Sequence, residues 1–289
     1  MTPIIYINGS FLPEAEAMIN VDDGGWLHGA GLFETMRAEN GRVFRFEQHI
    51  DRLRRSSEVI LRPLDRSALP NVRVVTELLR RNDLSSVRLR LTVSAGSMRG
   101  VTDGSPAPLT VSLTASPLVP YASAMYEQGV QVVICPNRVS PSDPIAGHKT
   151  TSYLPRLIGL RTAQQVGCLD ALWFTTNHHL AEGCISNVFV VTQGVLRTPP
   201  VDTPVLPGIT RGVVLELSKI LNIETREEPL TINDLLDAEE VFLTNAIMHV
   251  MPVIRVEKHD ISEGRVGETT RNLLGAFREL VNEECHPRL

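Results

Sequence analysis

Two segments, SVRLRLTVSAGS (86–97) and APLTVSLTASPL (107–118), place an apolar residue at every second position, the pattern of strands that bury one face. Helical signals come before them. RVFRFEQHIDRLRRSSEVILRP passes from a short strand into a helix with Ile50, Leu53, Ser57 and Ile60 on one face, stopped before Pro63. ALPNVRVVTELLRRND reads as a second amphipathic helix. At the N-terminus, IIYINGSFLP reads as two short strands joined by a turn at Asn8-Gly9. Strands and helices therefore mix without a steady strand–helix–strand rhythm, which points to the α+β class rather than a doubly wound sheet.

A chain of 289 residues is long enough for two domains. ASPLVPYASAM carries two prolines and little periodicity, so the expected division is a small domain over 1–118, a linker over 119–125 and a larger domain over 126–289. The second half opens with the strand GVQVVICP, then a loop holding Lys149. A helix follows from Pro155 to Val166, with proline at its first position and Gly167 at its exit. Strands ALWFTT, NVFVVTQGVLRTP and EVFLTN, a helix after LPGITR and a closing helix near 268–282 complete it.

Composition excludes several classes. The net charge is −5 and no basic block stands out, so a nucleic-acid or membrane-surface partner is not expected. No apolar run approaches the ~20 residues of a membrane span, and the N-terminus lacks the pattern of a signal peptide. Cys135, Cys168, Cys184 and Cys285 form no CxxC pair, which fits a reduced, cytoplasmic protein without structural zinc. The glycines of DDGGWLHGAGLFET lack dinucleotide-site spacing, and the histidines His28, His148, His178 and His179 lack metal-ligand spacing.

The residues with chemical potential are scattered. Lys149, in AGHKTTSYLPR, follows small and apolar neighbours and has Tyr153 four positions on; a covalent lysine must lose its proton, which burial can arrange. On its own it reads more readily as a solvated loop charge. Glu182, in HHLAEGCISNVFVV, lies between a hairpin tip near 177–179 and a strand holding Ser186 and Asn187; if buried, it needs a partner. In TPPVDTPVLPGITR, Gly208, Ile209 and Thr210 open a helix whose free N–H groups suit an anion such as phosphate, although an ordinary capped helix looks the same. The turn Thr244-Asn245-Ala246 offers backbone to the same anion, and Arg52, sharing a helix face with His49 and Arg55, offers the balancing charge.

Taken in order, GLFETMR, EQHIDRL, AGHKTTSYL, LAEGCISNVFVV, LPGITR, EVFLTNAIMHVMPV and GRVGETTRNLLGAF resemble the class IV, fold-type IV pyridoxal-phosphate enzymes over nearly the whole chain. That family includes branched-chain and D-amino-acid aminotransferases and 4-amino-4-deoxychorismate lyases. The resemblance implies a two-domain α+β fold with pyridoxal 5'-phosphate between the domains, and a homodimer whose small-domain loops complete the partner's pocket. It makes Lys149 the lysine of the internal aldimine and Glu182 the acid facing the pyridine nitrogen. Arg52, Ile209 and Thr210, with Gly208 at the helix start, match phosphate contacts. Tyr153 matches the tyrosine on the phenolic oxygen, with a spacing from the lysine that differs by one residue in some members. Ser186 and Asn187 fall in the cofactor-binding strand. At Asn245 and Ala246 only backbone contact is implied, because aminotransferases usually carry a hydroxyl where this chain has Ala246.

The reaction is read from smaller features. The lead-in AGHK, the turn TNAIMHVMPV and the loop AGSMRGV resemble the lyases, so release of pyruvate and 4-aminobenzoate from aminodeoxychorismate, a step of folate synthesis, is the leading expectation. FET with Glu34, LPGITR and GRVGETTR lean towards an aminotransferase for D-amino or branched-chain amino acids, the alternative. A non-catalytic cofactor-binding homologue is the third. Arg99, His28 and Phe33 are the expected substrate contacts, Arg99 on a carboxylate and His28 where branched-chain enzymes carry a tyrosine.

Overall fold

The structure is a computed structural model that describes residues 2–99 and 108–286. Its contacts divide the chain into two compact units. One comprises Met1–Val119, His148–Tyr153 and Asn282–Leu289; the other comprises Pro120–Gly147 and Leu154–Val281.

In the first unit, strands β1 (Ile4–Ile7), β2 (Ser10–Pro13), β3 (Gly31–Glu39), β4 (Arg42–Val43), β5 (Ser86–Ser94) and β6 (Thr110–Pro117) build one sheet. Among the described residues its order is β2-β1-β6-β5-β3-β4, with antiparallel pairing throughout. The turns Asn8-Gly9 and Asn40-Gly41 take positive φ at both central residues (47° and 91°, 50° and 77°), the backbone that matches the twist of two-residue hairpins. Helices α1 (Gly24–His28), α2 (Phe46–Ile60) and α3 (Val72–Arg81) complete the unit. Leu32, Met36, Leu89, Leu91 and Leu113 point to one side of the sheet and pack with Ile50 and Leu53 of α2 and Val75, Leu78 and Leu79 of α3. Each such fully buried side chain contributes about 1.5–3 kcal/mol. The alternate residues, Phe33 and Thr35 of β3 opposite Thr92 and Arg90 of β5, occupy the other face.

The second unit holds helix α4 (Ser123–Gln128), strand β7 (Val130–Val139), helix α5 (Leu154–Gln165), strands β8 (Asp170–Thr175), β9 (Leu180–Gly183), β10 (Asn187–Thr192) and β11 (Val195–Thr198), and helix α6 (Ile209–Ile220). Strand β12 (Thr225–Glu227), helix α7 (Ile232–Leu236), strands β13 (Glu240–Asn245), β14 (His249–Val256) and β15 (His259–Asp260), and helix α8 (Glu268–Cys285) follow. Among the described residues the sheet runs β12-β11-β10-β13-β14-β7-β8-β9, with β15 on β14. The β14–β7, β7–β8 and β11–β12 pairs are parallel and the rest antiparallel, the mixture that defines an α+β fold. Strand β8 is buried along its whole length. Leu172 and Phe174 join one core cluster; Ala171 and Trp173 join another with Cys135 and Ala163 of α5.

Two segments depart from the division expected from sequence. His148–Tyr153 groups with the N-terminal unit because its backbone extends the sheet. Phe33 N–H donates to the Lys149 carbonyl at 2.9 Å, Thr151 N–H donates to the Gly31 carbonyl at 2.8 Å, and Leu32 bridges Thr150. The end of α8 also belongs there, with Glu284 ion-paired to Arg45 at 3.0 Å and the His286 ring bonded to Asn40 at 2.9 Å. The segment expected as a linker already enters α4 at Ser123. No helix among the described residues is long and apolar enough to cross a membrane.

Candidate active site

The site residues fall in two sets, one in each unit. In the first unit the glycines of DDGGWLHGAGLFET set the position of the lysine. Gly29 takes φ 66°, and a Cβ there would lie 3.1 Å from Ser152 Cα. A Cβ on Gly31 would meet Thr151 Oγ1 at 2.8 Å and the Val93 carbonyl at 2.9 Å. The missing side chains let 149–152 lie flat against β3, and Thr151 Oγ1 completes the seam by donating to the Gly29 carbonyl at 2.8 Å. Lys149 is half-buried, with Nζ 4.5 Å from the centre of the Phe33 ring. Tyr153 meets the same ring edge-on at 5.3 Å, and Phe33 is itself only 4% exposed. Arg90, half-buried on β5, lies over that ring too, its guanidinium carbon 3.9 Å from the centre.

Behind β3 lies a buried charge cluster. Glu34 accepts from Arg52 through both Nε (2.8 Å) and Nη2, and His49 Nδ1 sits 2.7 Å from its second oxygen. Burial acts to raise the Glu34 carboxyl, but the Arg52 charge and the His49 hydrogen bond outweigh it and hold the group down at about 2. Burial pushes His49 below its usual value against the pull of Glu34, and the Arg52 and Lys149 charges add to the push. The neutral imidazole then donates from Nδ1 to Glu34. Arg52 thus has a bidentate carboxylate partner that the sequence reading did not give it, while Arg55, expected on the same face, is exposed.

The other two expected substrate contacts face solvent. His28 is exposed at the end of α1, and Arg99 is 79% exposed with its guanidinium 2.5 Å from Asp22. Gly100 and Val101 of the AGSMRGV loop lie outside the described residues.

In the second unit Glu182 lies one residue before the end of β9, at 5% exposure. Arg156 Nη2 donates to Oε1 at 2.5 Å, Leu206 N–H to Oε2 at 2.9 Å, and Asn187 Nδ2 to Oε2 at 3.4 Å. Arg156 also donates to the Gly183 carbonyl at 2.8 Å and lies 5.1 Å over Trp173, so it is fixed on three sides. Asn187 donates to the Leu206 carbonyl at 2.8 Å and ties β10 to the loop before α6.

Ser186 gives its hydroxyl to the fully buried Asp170 at 2.7 Å. Burial raises the Asp170 carboxyl, yet it also accepts from the N–H groups of Ala171 (2.8 Å), Cys184 (2.9 Å) and Ile185 (3.4 Å) and so shapes the turn after Glu182. Ser186 therefore anchors a turn where the sequence suggested a cofactor contact. Asn245 does likewise: Oδ1 accepts from the N–H groups of Ile247 and Met248 at 2.9 and 2.8 Å, and Nδ2 donates to the Ile185 carbonyl at 3.1 Å. Ala246 is half-buried in that turn.

Helix α6 starts without a side-chain cap at Gly208, leaving the first turn of N–H groups unmatched by a side chain, and Thr210 in that turn is buried. A Cβ on Gly208 would sit 2.0 Å from Asn187 Oδ1, so the helix start approaches the Glu182 strand as only glycine permits.

An uncapped helix start beside a buried, positioned carboxylate fits a ligand with an anionic ester and a basic ring nitrogen. A half-buried lysine fits one with a reactive carbonyl. Each unit thus carries part of what a pyridoxal-phosphate enzyme requires. The sequence profile of the family described as "Amino-transferase class IV" matches residues 31–256. A Methanocaldococcus jannaschii protein, provisionally named a branched-chain-amino-acid aminotransferase, is 34% identical over 96% of each chain. The aminodeoxychorismate lyase of Bacillus subtilis is 28% identical over 99% of this chain and 97% of its own. Among solved structures, a T.th. branched-chain amino acid aminotransferase with pyridoxamine 5'-phosphate superposes with a TM-score of 0.90 at 26% identity, covering 98% of this chain and 95% of its own. The chain belongs to the class IV aminotransferase family, a fold-type IV enzyme whose cofactor is pyridoxal 5'-phosphate.

Sequence reasoning does not single out Arg90, Arg156 or Asp170, nor the joining of Glu34 and His49 to Arg52. Asp170 has a signal, a lone acid opening the fully apolar run ALWF. Arg156 has none beyond its place in the helix after Lys149, and Arg90 has only its register opposite Thr35.

Proposed function

We propose that this enzyme is an aminotransferase, exchanging an amino group between a small amino acid and a keto acid, with branched-chain amino acids as first candidates. The observation that carries the cofactor chemistry, common to both reactions, is Lys149. Its backbone is pinned to β3 on both sides and its amine rests against an aromatic ring, so the nitrogen is held in place rather than loose in solvent. The relatives named as branched-chain aminotransferases support an exchange reaction over the lyase that the sequence features suggested.

Bound pyridoxal phosphate supplies the electron sink that acidifies the substrate's α-hydrogen. Lys149 Nζ would hold the cofactor until the substrate amine displaces it, and the freed amine would then carry that proton from the substrate's α-carbon to the cofactor. Glu182, positioned by Arg156 and the Leu206 N–H, would face the ring nitrogen and favour its protonated form. The N–H groups of Ile209 and Thr210 would receive the phosphate, and Arg52 is the residue that the family resemblance assigns to its charge. Tyr153 would donate to the phenolic oxygen. Asn187, Ser186, Asn245 and Ala246 hold the strand and turn that frame these groups. Phe33 gives the substrate an apolar surface, and Arg90 beside it offers a cation to a carboxylate. In a homodimer the exposed His28 and Arg99 serve the pocket of the partner subunit.

The test uses purified, cofactor-loaded enzyme. Keto-acid formation from leucine, isoleucine or valine that depends on an added keto acid supports the reading. Pyruvate released from aminodeoxychorismate without any acceptor, with no exchange, overturns it in favour of the lyase.

A further inference from the structure

Neighbouring residues of β3 touch two groups that the cofactor would need held at a fixed separation. The Phe33 N–H holds the Lys149 main chain, and the Phe33 ring lies 4.5 Å from the lysine amine. Glu34, the next residue, points to the opposite side of the strand, where its carboxylate takes Arg52 through Nε at 2.8 Å and through Nη2. His49, almost one helical turn before Arg52 on α2, closes the cluster with Nδ1 2.7 Å from Glu34 Oε2. All three side chains are nearly sealed from water, at 1% for Glu34, 2% for His49 and 5% for Arg52. A guanidinium is planar, so a carboxylate gripping its Nε–Nη2 edge also fixes the direction in which the Nη1–Nη2 end points. A long arginine side chain otherwise samples many rotamers.

We propose that Glu34, braced by His49, is a positioning residue that aims Arg52 at the cofactor's phosphate. This rests on the phosphate role given to Arg52 above. Two effects of Glu34 oppose each other. Its negative charge near Arg52 weakens the attraction for a phosphate, while its grip on the guanidinium fixes the geometry that a phosphate needs. An aspartate separates them, because it keeps the charge and draws the carboxylate back by one methylene.

The test titrates the apoenzyme with pyridoxal phosphate and, in parallel, with pyridoxal, which has the same aldehyde and ring but no phosphate; binding is followed by the cofactor's absorbance. E34D should weaken pyridoxal phosphate about 10-fold, the scale of one impaired charge-assisted hydrogen bond, and change pyridoxal by less than about 2-fold. H49L, which removes the brace and leaves Glu34 intact, should give the same selective loss at a smaller size, about 3-fold. R52M should abolish the preference for the phosphorylated form, and E34D added to R52M should then cost nothing more. Equal losses for both ligands in E34D and H49L would overturn the proposal, since the cluster would then serve only the fold. Unchanged or tighter binding of pyridoxal phosphate in E34D would overturn it as well. An R52M variant that keeps the full preference would remove the phosphate role of Arg52 itself, a different failure from a silent E34D beside a damaged R52M.

Discussion

In the function proposed above, Lys149 is the residue on which the chemistry turns, and its surroundings show how a lysine can be held without a full cage. The chain on either side is hydrogen-bonded to β3, so the side chain starts from a fixed root, and the Phe33 ring gives the amine a cation–π contact of about 0.5–1 kcal/mol. Replacing Lys149 with Ala removes the amine and leaves the seam, which is main chain. Stability should move by no more than about 1 kcal/mol. Amino-group exchange should fall at least about 10³-fold, the scale of losing a general base that also carries the cofactor. Borohydride treatment of the cofactor-loaded wild type should fix label on the Lys149 peptide, and the variant should take none. Label on another lysine would sink the assignment. Lys149 could be proposed from sequence because AGHKTTSYL is a contiguous motif with a fixed place in the order of motifs along the chain. The Glu34–His49–Arg52 cluster could not, since it joins a strand to a helix through side-chain directions that no local pattern encodes.

Elements show the same split between local and distant causes. The Asn8-Gly9 turn, helices α2 and α3 and the alternating strands β5 and β6 follow from turn chemistry and periodicity within a few residues, and the sequence places them well. The seam between Thr150 and Leu32 joins residues far apart in the chain, so it depends on glycines whose purpose shows only when the second strand is present. The start of α6 is a case where local and distant causes meet. LPGIT announces the helix, but Gly208 is required by Asn187, whose Oδ1 would lie 2.0 Å from an added Cβ. Gly208→Ala must displace Asn187, which also braces Glu182 and the Leu206 carbonyl. The expected outcome is a loss of about 1–3 kcal/mol in unfolding free energy and weaker pyridoxal phosphate binding, read by calorimetry on the apoenzyme. Gly212, with nothing within 4 Å of an added Cβ, is the control: Ala there should be neutral or stabilising. Equal behaviour of the two variants would mean that the approach of α6 to β10 is not tight.

At the scale of the whole molecule, buried ionisable groups make stability depend on acidity in a direction that can be worked out. Glu34 has a depressed folded value, about 2 against an ordinary 4.5, so its contribution is complete above 4.5 and is lost as pH falls from there towards 2. That loss is about 3 kcal/mol. His49 is held below its ordinary 6.5, so the unfolded chain takes up a proton that the folded chain refuses, and stability already declines as pH drops below 6.5. Half-buried His148 acts in the same sense, and Asp23 and Asp234, both lowered, add to the decline at lower pH. Asp170 opposes them: its raised value means that the folded chain keeps a proton more readily than the unfolded one, which favours the fold as pH falls. Among the described residues, the groups named as losing outnumber Asp170, which gains, so the protein should be acid-labile in two stages, a shallow one beginning near 6.5 and a steeper one below 4.5. Urea unfolding across that range measures both. His49→Asn keeps a donor for Glu34 and removes its titration, so it should make the first stage shallower, down to the part that His148 contributes, and leave the second. A first stage of unchanged slope in that variant would mean that His49 is protonated in the folded protein and that Glu34 shares its charge with two cations rather than one.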